Sequence, residues 1–366
     1  MSARPPSVVL AAGGTAGHVE PALNLADELI ALDPQTRITV IGGDRGLETT
    51  LVPARGYPLL SVPAAPMPRR PSIDLLLVCP RQRAAKKRAK EQLREVKADV
   101  VVGFGGYAAL PTYLAARELR IPVVIHEANA KAGLANKVAA RFTSLVYVCV
   151  PGAIKGGTVM GLPLRPGIAR LQRSDARLAA LASFGLPSDK PVLLVLGGSQ
   201  GAQHLNATIA GALPELLGAG ISVLHSYGSK NVAPNSQPGY VPLAYIAQME
   251  LAYAAADLAI TRAGAMTCAE LAAVGLPAIY VPLPVGNGEQ RLNALPLVEA
   301  GGGLYVADGD CTAEWLIQTV PPLILDRGKL ATMGAAVAGM GERDAGRQFA
   351  EVISAVAMTR IKGTSS

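Results

Sequence analysis

The sequence predicts an α/β protein made of two doubly wound domains facing each other across a cleft, and three observations carry that prediction. An apolar run ends in a glycine turn twice, at Ser7-Val8-Val9-Leu10-Ala11-Ala12-Gly13-Gly14-Thr15-Ala16-Gly17 and at Val192-Leu193-Leu194-Val195-Leu196-Gly197-Gly198-Ser199-Gln200-Gly201, about half the chain apart. Strand-like runs alternate with helix-period segments in both halves. The length of 366 residues, 50% of them hydrophobic, suits two domains with buried parallel sheets. Each turn leads into helix-period residues and so sets backbone N–H groups at a helix N-terminus, where anions bind.

In the first half the opening strand is followed by a helix over Pro21–Leu32, a strand over Arg37–Ile41, a helix over Leu47–Ala54 and a strand over Leu59–Val62. A basic helix, a strand over Asp99–Val102, a helix over Tyr113–Leu119 and a strand over Pro122–His126 come next. Helix Gly133–Phe142 and strand Leu145–Cys149 complete the pattern. The Pro- and Gly-rich stretch Pro151–Pro166 reads as the crossover. The second half repeats the alternation through strand Val192–Leu196, helix Ala202–Leu217, and strands Ser222–His225 and Leu258–Ile260. Helix Thr267–Val274, strand Ala278–Val281 and helix Glu289–Ala300 follow, with helical patterns onward to Arg360.

Composition narrows the function classes. Val8–Ala12 is too short for a signal peptide, and no window approaches the roughly 18 apolar residues of a spanning helix, so the chain is expected not to cross a bilayer. Cys79, Cys149, Cys268 and Cys311 form no C-x-x-C pair and read as reduced, buried thiols. His18, His126, His204 and His225 lack metal-ligand spacing, and Asp308-Gly309-Asp310 reads as a surface turn, so no metal is assigned. The net charge of +7 is local: residues 69–97 hold ten Lys/Arg against three Asp/Glu, and the rest of the chain carries 24 of each sign. Leu75-Leu76-Leu77-Val78 precedes Arg81, Arg83, Lys86, Lys87, Arg88 and Lys90 there. Anionic lipid attracts such a segment by about 1 kcal/mol per basic residue. A solvated helix face is the plain alternative. Nucleic acid fits poorly, since the basic run contains no aromatic residue to stack bases.

Several positions carry possible chemistry. His18 follows Gly13-Gly14-Thr15-Ala16-Gly17 in the first turn of a helix, where the ring stays neutral as a general base requires; a loop-capping polar residue is an equal reading. Gly103-x-Gly105-x-x-Ala108, with Glu127 at the next strand's end, formally matches a dinucleotide fingerprint. Pro111 in the expected first helical turn and the mid-domain position count against that. His126-Glu127-Ala128-Asn129 ends a strand at the cleft edge, and Glu127 could equally cap the following helix. Thr261-Arg262-Ala263-Gly264-Ala265-Met266-Thr267-Cys268-Ala269-Glu270 is a further strand, turn and helix start whose amides suit a diphosphate. Glu270, one turn in, is placed for ribose hydroxyls or for the helix dipole. Arg165 is a cation in the crossover, where most arginines are simply solvated.

Taken in order, Gly13-Gly14-Thr15-Ala16-Gly17-His18, Gly105-Gly106-Tyr107, His126-Glu127-Ala128-Asn129, Gly133-Leu134-Ala135-Asn136-Lys137, Gly197-Gly198-Ser199-Gln200-Gly201-Ala202 and Gln290-x-x-Asn293-Ala294 resemble the MurG family of bacterial glycosyltransferases. The resemblance covers nearly the whole chain. It implies two Rossmann-like domains of the GT-B fold: residues 1–164 for a lipid acceptor and the membrane, with a helix over 342–360 packing back on them, and residues 165–341 for a UDP-sugar donor. It implies transfer of N-acetylglucosamine from UDP-N-acetylglucosamine to the muramyl 4-hydroxyl of lipid I, giving lipid II for peptidoglycan, at the cytoplasmic face of the membrane and without metal or cofactor.

By the same resemblance Ser199 and the turn of Ala265, Met266 and Thr267, continuing through Cys268 and Ala269, would meet the donor diphosphate, Glu270 the ribose and Ile246 the uracil. Arg165 would reach the phosphate, while Gln290 and Asn129 with Thr15, Ala16 and Gly17 would fix the transferred sugar. His18 would be the base. Glu289 and Ala128 depart from the family pattern, each standing where a Gln is usual. The basic segment 69–97 would serve anionic lipid, and proteins of cell-wall synthesis would be natural partners. Within enzymes, a UDP-N-acetylglucosamine 2-epimerase or a glycolipid glycosyltransferase would share the donor half; a non-catalytic nucleotide-binding protein at a membrane surface would need only the basic helix and one pocket.

Overall fold

The computed structural model describes residues 4–63, 73–198, 202–284 and 288–364. The chain divides into two compact units, Met1–Leu164 with Asp344–Ser366, and Arg165–Arg343.

The first unit runs β1 (Ser7–Ala12), α1 (Ala16–Leu32), β2 (Arg37–Gly42), α2 (Glu48–Ala54), β3 (Leu59–Ser61), α3 (Ile73–Glu95), β4 (Val100–Gly105), α4 (Ala109–Glu118), β5 (Val123–Glu127), α5 (Leu134–Ala139), β6 (Val146–Val148) and β7 (Thr158–Val159). Its strands form one sheet, all pairs parallel, in the order β3-β2-β1-β4-β5-β6-β7. The side-chain period of two splits β1 between two cores. Val9 and Ala11 join Val101, Tyr113 and Ile125 on one face, while Val8, Leu10 and Ala12 join Val102, Phe104 and residues of α1 on the other.

The second unit runs α6 (Pro166–Ala169), α7 (Arg173–Phe184), β8 (Val192–Leu196), α8 (Gln203–Gly218), β9 (Ser222–Ser226), β10 (Tyr240–Leu243), α9 (Met249–Ala255), β11 (Leu258–Thr261), α10 (Ala265–Val274), β12 (Ala278–Tyr280), α11 (Glu289–Glu299), β13 (Gly303–Tyr305), α12 (Ala313–Ile324) and α13 (Arg327–Ala338). Its parallel sheet has the order β10-β9-β8-β11-β12-β13. In both sheets the order reverses between the first strand and its right-hand neighbour, β1/β4 and β8/β11, and ligands of open α/β sheets gather outside the carboxyl ends at that point. The last helix, α14 (Ala345–Thr364), belongs to the first unit, where Phe349, Ala350, Ile353 and Ala357 complete the α1 core.

One clamp occurs twice. Asp99, just before β4, accepts from the Ser7 amide at 2.9 Å and pairs with Arg4; Asp257, just before β11, accepts from the Val192 amide at 2.8 Å and pairs with Arg177 at 2.8 Å. Each buried or half-buried carboxylate ties the switch-point strands together at their amino ends.

Several element readings change. Helix α1 starts at Ala16 rather than Pro21, so Pro21 lies inside it and removes one ladder bond. Helix α4 starts at Ala109, which puts Pro111 in the first turn, where its missing N–H is not needed. Pro111 therefore does not interrupt the helix. Beyond α11 the chain is not continuously helical, since β13 intervenes, and the last helix spans Ala345–Thr364 rather than 342–360. Among the described residues no helix is long and apolar enough to cross a membrane.

Candidate active site

In the first unit the loops after β1, β2, β4 and β5 meet at the carboxyl edge. Thr15 is the N-cap of α1, and its hydroxyl does not cap the backbone but lies 3.0 Å from His18 Nδ1. His18 is the third residue of the helix, and its ring lies against Gly105. Burial lowers the His18 pKa below the ordinary value of 6.5; the charges of Glu127 and Glu48 and a hydrogen bond with the Gly13 backbone oppose that shift. Gly106 has a positive φ of 89°, and a side chain there would run into the Gly13 backbone, so the two glycine turns pack directly on each other.

The Gly14 amide does hold an anion, and it is the chain's own: it donates to Glu48 Oε2 at 2.8 Å while the Gly43 amide donates to Oε1 at 2.8 Å. The first glycine turn is thus not an open phosphate site at Gly14. Glu127 is buried and accepts from the Asn129 amide (3.0 Å), Asn129 Nδ2 (3.3 Å), the Gly133 amide (3.0 Å) and Asn136 Nδ2 (2.9 Å). Since Gly133 is the N-cap of α5, the capping reading of Glu127 is the one realised. Tyr113 extends the network, donating to Asn136 Oδ1 at 2.9 Å and accepting from the Gly105 amide at 3.2 Å. Gly103 lies inside β4, in register with Ile125, and a Cβ there would strike the Tyr113 hydroxyl. A dinucleotide fingerprint needs that first glycine in the turn, so the fingerprint match is accidental.

His126 is fully buried; its Nε2 lies 3.0 Å from the Gly161 carbonyl, and burial lowers its pKa to about 4. It packs against Phe104 and Phe349 and belongs to the core. Cys149 and Cys268 are thiols pushed upward by burial, the latter to about 12, which suits reduced structural cysteines; Cys311 is also free and buried, and the Cys79 side chain lies outside the described residues.

In the second unit, Gly264 is the N-cap of α10 and offers no side-chain cap of its own, and the first helical bond is Cys268 N–H to the Gly264 carbonyl at 3.0 Å. The amides of Ala265, Met266 and Thr267 therefore precede the hydrogen-bonded ladder. Cys268 points into the core and Ala269 is half-buried. Glu270 is buried one turn in and accepts from the Tyr253 hydroxyl at 2.7 Å. Arg165, the N-cap of α6, lies close enough for its charge to act on Tyr253, which groups Arg165, Tyr253 and Glu270 around α10. Gln290 turns its carbonyl oxygen onto the Ala263 amide (3.2 Å) and the Leu283 amide (2.9 Å), joining the loops after β11 and β12. Ile246 is 3% exposed and packs in the core of the second unit.

Ser199 lies outside the described residues. The strand β8 before it ends at Leu196 and runs into Gly197-Gly198, with Gly198 at a φ of +83°. Asp308 is not in a free surface turn: it sits in a single 3-10 turn and accepts from Arg262 at 2.5 Å, because Arg262 is buried beneath it and needs a counter-charge. Among the described residues no group of His, Cys, Asp and Glu is placed to hold a metal.

Thus Thr15, Ala16, Gly17, His18 and Asn129 gather in the first unit, and Arg165, Ala265–Glu270 and Gln290 in the second. Glu48, Tyr113, Tyr253 and the Arg262–Asp308 pair are additions. For Glu48 a signal existed: Gly42-Gly43 and Gly46 crowd the end of a strand just before it.

The family model for the glycosyltransferase family 28 N-terminal domain matches residues 8–148, and that for the C-terminal domain matches residues 192–349. A UDP-N-acetylglucosamine–N-acetylmuramyl-(pentapeptide) pyrophosphoryl-undecaprenol N-acetylglucosamine transferase of Mycobacterium sp. (strain KMS) is 56% identical, over 96% of this chain and 96% of the relative. The transferase of the same description from Nocardia farcinica (strain IFM 10152) is 53% identical, again over 96% of each chain. The crystal structure of Acinetobacter baumannii MurG superposes with a TM-score of 0.76 at 30% identity, over 96% of this chain and 99% of that one. The two doubly wound sheets are those of the GT-B glycosyltransferases. The chain belongs to glycosyltransferase family 28, among the UDP-N-acetylglucosamine–N-acetylmuramyl-(pentapeptide) pyrophosphoryl-undecaprenol N-acetylglucosamine transferases.

Proposed function

We propose that the protein transfers N-acetylglucosamine from UDP-N-acetylglucosamine to the 4-hydroxyl of the N-acetylmuramyl group of lipid I, with inversion at the anomeric carbon. The observation that carries the reading is the pair of helix starts at the two carboxyl edges: α10 begins at a glycine N-cap that offers no side-chain cap, one turn before a buried Glu270, and α1 offers an imidazole that burial keeps neutral. The acceptor oxygen attacks the anomeric carbon as the bond from that carbon to the UDP oxygen breaks. His18 takes the hydroxyl proton. UDP departs with the bonding electrons, and the Ala265–Thr267 amides with Arg165 stabilise its charge. Glu270 receives the ribose hydroxyls, Ile246 the uracil, and Ser199 the diphosphate. Gln290, Asn129 and the Thr15–Gly17 turn orient the transferred sugar.

A polyprenyl diphosphate acceptor lies in a membrane, and the basic face of α3 supports work at the cytoplasmic surface. Arg81, Arg83, Lys87 and Arg88 are exposed there. The test is UDP release from UDP-N-acetylglucosamine with and without a soluble lipid I analogue. Release that needs the acceptor and yields a disaccharide is expected; release without acceptor would point to epimerase-like or hydrolytic chemistry and sink the proposal. His18→Ala should abolish turnover and leave UDP affinity near wild type, whereas a large loss of UDP affinity would make His18 structural.

A further inference from the structure

Glu48 has a house built for it. Its residue is 1% exposed, its two oxygens are held at 2.8 Å by the Gly14 and Gly43 amides, and a methyl group added at Gly13, Gly42, Gly43 or Gly46 would strike its side chain. A carboxylate desolvated this far is retained only with charge-assisted hydrogen bonds of this kind, and side chains that serve packing alone do not need them. The bond to Gly14 joins the start of α2 to the turn after β1, four residues before His18.

We propose that Glu48 is a positioning residue for the transfer reaction, clamping the Gly13-Gly14 turn that presents His18 and supplying a negative charge near its ring. This rests on the reading of His18 as the base. An imidazole that must gain a proton away from water is helped by each negative charge nearby. Two carboxylates act on His18, Glu127 from β5 and Glu48 from α2. The Thr15 hydroxyl and the Gly105 backbone, which also lie beside the ring, are uncharged. Glu127 is engaged by four donors of the loop 129–136, which leaves Glu48 as the carboxylate bonded to the histidine's own turn.

The test is the pH profile of kcat for full-length Glu48→Gln with a soluble lipid I analogue, beside wild type and Gly46→Ala. Glu48→Gln removes the charge and turns an N–H donor toward one of the two amides. Its kcat should fall about tenfold or more, as misplacing a catalytic group does. Its acidic limb should move to lower pH, because imidazolium forms less readily without the carboxylate, and KM for UDP-N-acetylglucosamine should stay unchanged. Gly46→Ala displaces the carboxylate but keeps its charge, so kcat should fall with a smaller movement of the limb. An acidic limb unmoved in Glu48→Gln overturns the proposal, even if turnover drops. Should Glu48→Gln fail to fold, Gly46→Ala decides: wild-type kcat overturns the clamp, and reduced kcat with unchanged donor KM supports it. His18→Gln tests the reading underneath, since full turnover in that variant would remove the base assignment and this inference with it.

Discussion

A carboxylate that binds substrate and one that binds its own loop read identically as a letter, and the first unit holds two of the second kind. Glu127 and Glu48 satisfy backbone amides, and the Gly14 partner of Glu48 lies 34 residues away in sequence, so the glycines just before Glu48 mark a tight site without showing which turn it holds. His18 was legible because a glycine turn followed by helix-period residues fixes its place in the first turn. His126 was not: it looked like a cleft residue, but it ends a strand whose side chains are buried on both faces. Its titration makes a prediction. Burial holds the folded-state pKa at about 4 against 6.5 for the free group, so the unfolded chain binds more protons between those values. The stability contributed by neutral His126 is complete above about pH 6.5 and is lost as the pH falls toward 4. Urea unfolding across that range should show stability declining with acid, and His126→Leu should flatten the decline. An equal slope in that variant would assign the acid sensitivity elsewhere.

Length did not decide which elements were legible: the three-residue strands β3, β6 and β12 were read, while the twelve-residue helix α7 was not. Strands β7, β10 and β13, of two to four residues each, were not read either, and β7 lies within a stretch read as crossover. Helix starts were misplaced wherever proline was read as a boundary. Helix α3 shows what a charge run conceals. Ala85, Ala89 and Leu93 recur every four residues and bury one stripe. Lys86 and Lys90 lean from its flank onto Glu118 of α4 at 2.5 and 2.9 Å, and their hydrogen bonds pull the Glu118 pKa down to about 2. The six basic residues are therefore not equivalent. Replacing Arg81, Arg83, Lys87 and Arg88 by Glu should abolish binding to vesicles containing anionic lipid, whereas Lys86→Gln with Lys90→Gln should weaken it slightly. Losses that scale only with the charge changed in each set, measured by sedimentation with vesicles, would show that charge count alone governs attachment.

The two halves are the same design built twice, which was legible from the paired glycine turns, whereas the matching aspartate clamps at Asp99 and Asp257 were seen only in the structure. The chain does not divide cleanly, however. It leaves the first unit at Leu164, builds the second, and returns at Asp344 to lay α14 on α1. Phe349 is fully buried there among Phe104, His126 and Tyr147. Phe349→Ala should cost about 3–5 kcal/mol in the unfolding of the first unit, read by denaturant titration, while UDP affinity stays near wild type. A parallel loss of UDP affinity would mean that the units unfold as one. This return path also orders events on the ribosome. The seven strands of the first sheet have all been synthesised by Val159, but one face awaits residues that emerge only after the whole second unit, roughly 10–40 s later at about 5–20 residues per second. The unit encoded second is thus the first that can finish folding, and the nascent N-terminal half must spend that interval with an apolar face open to chaperones.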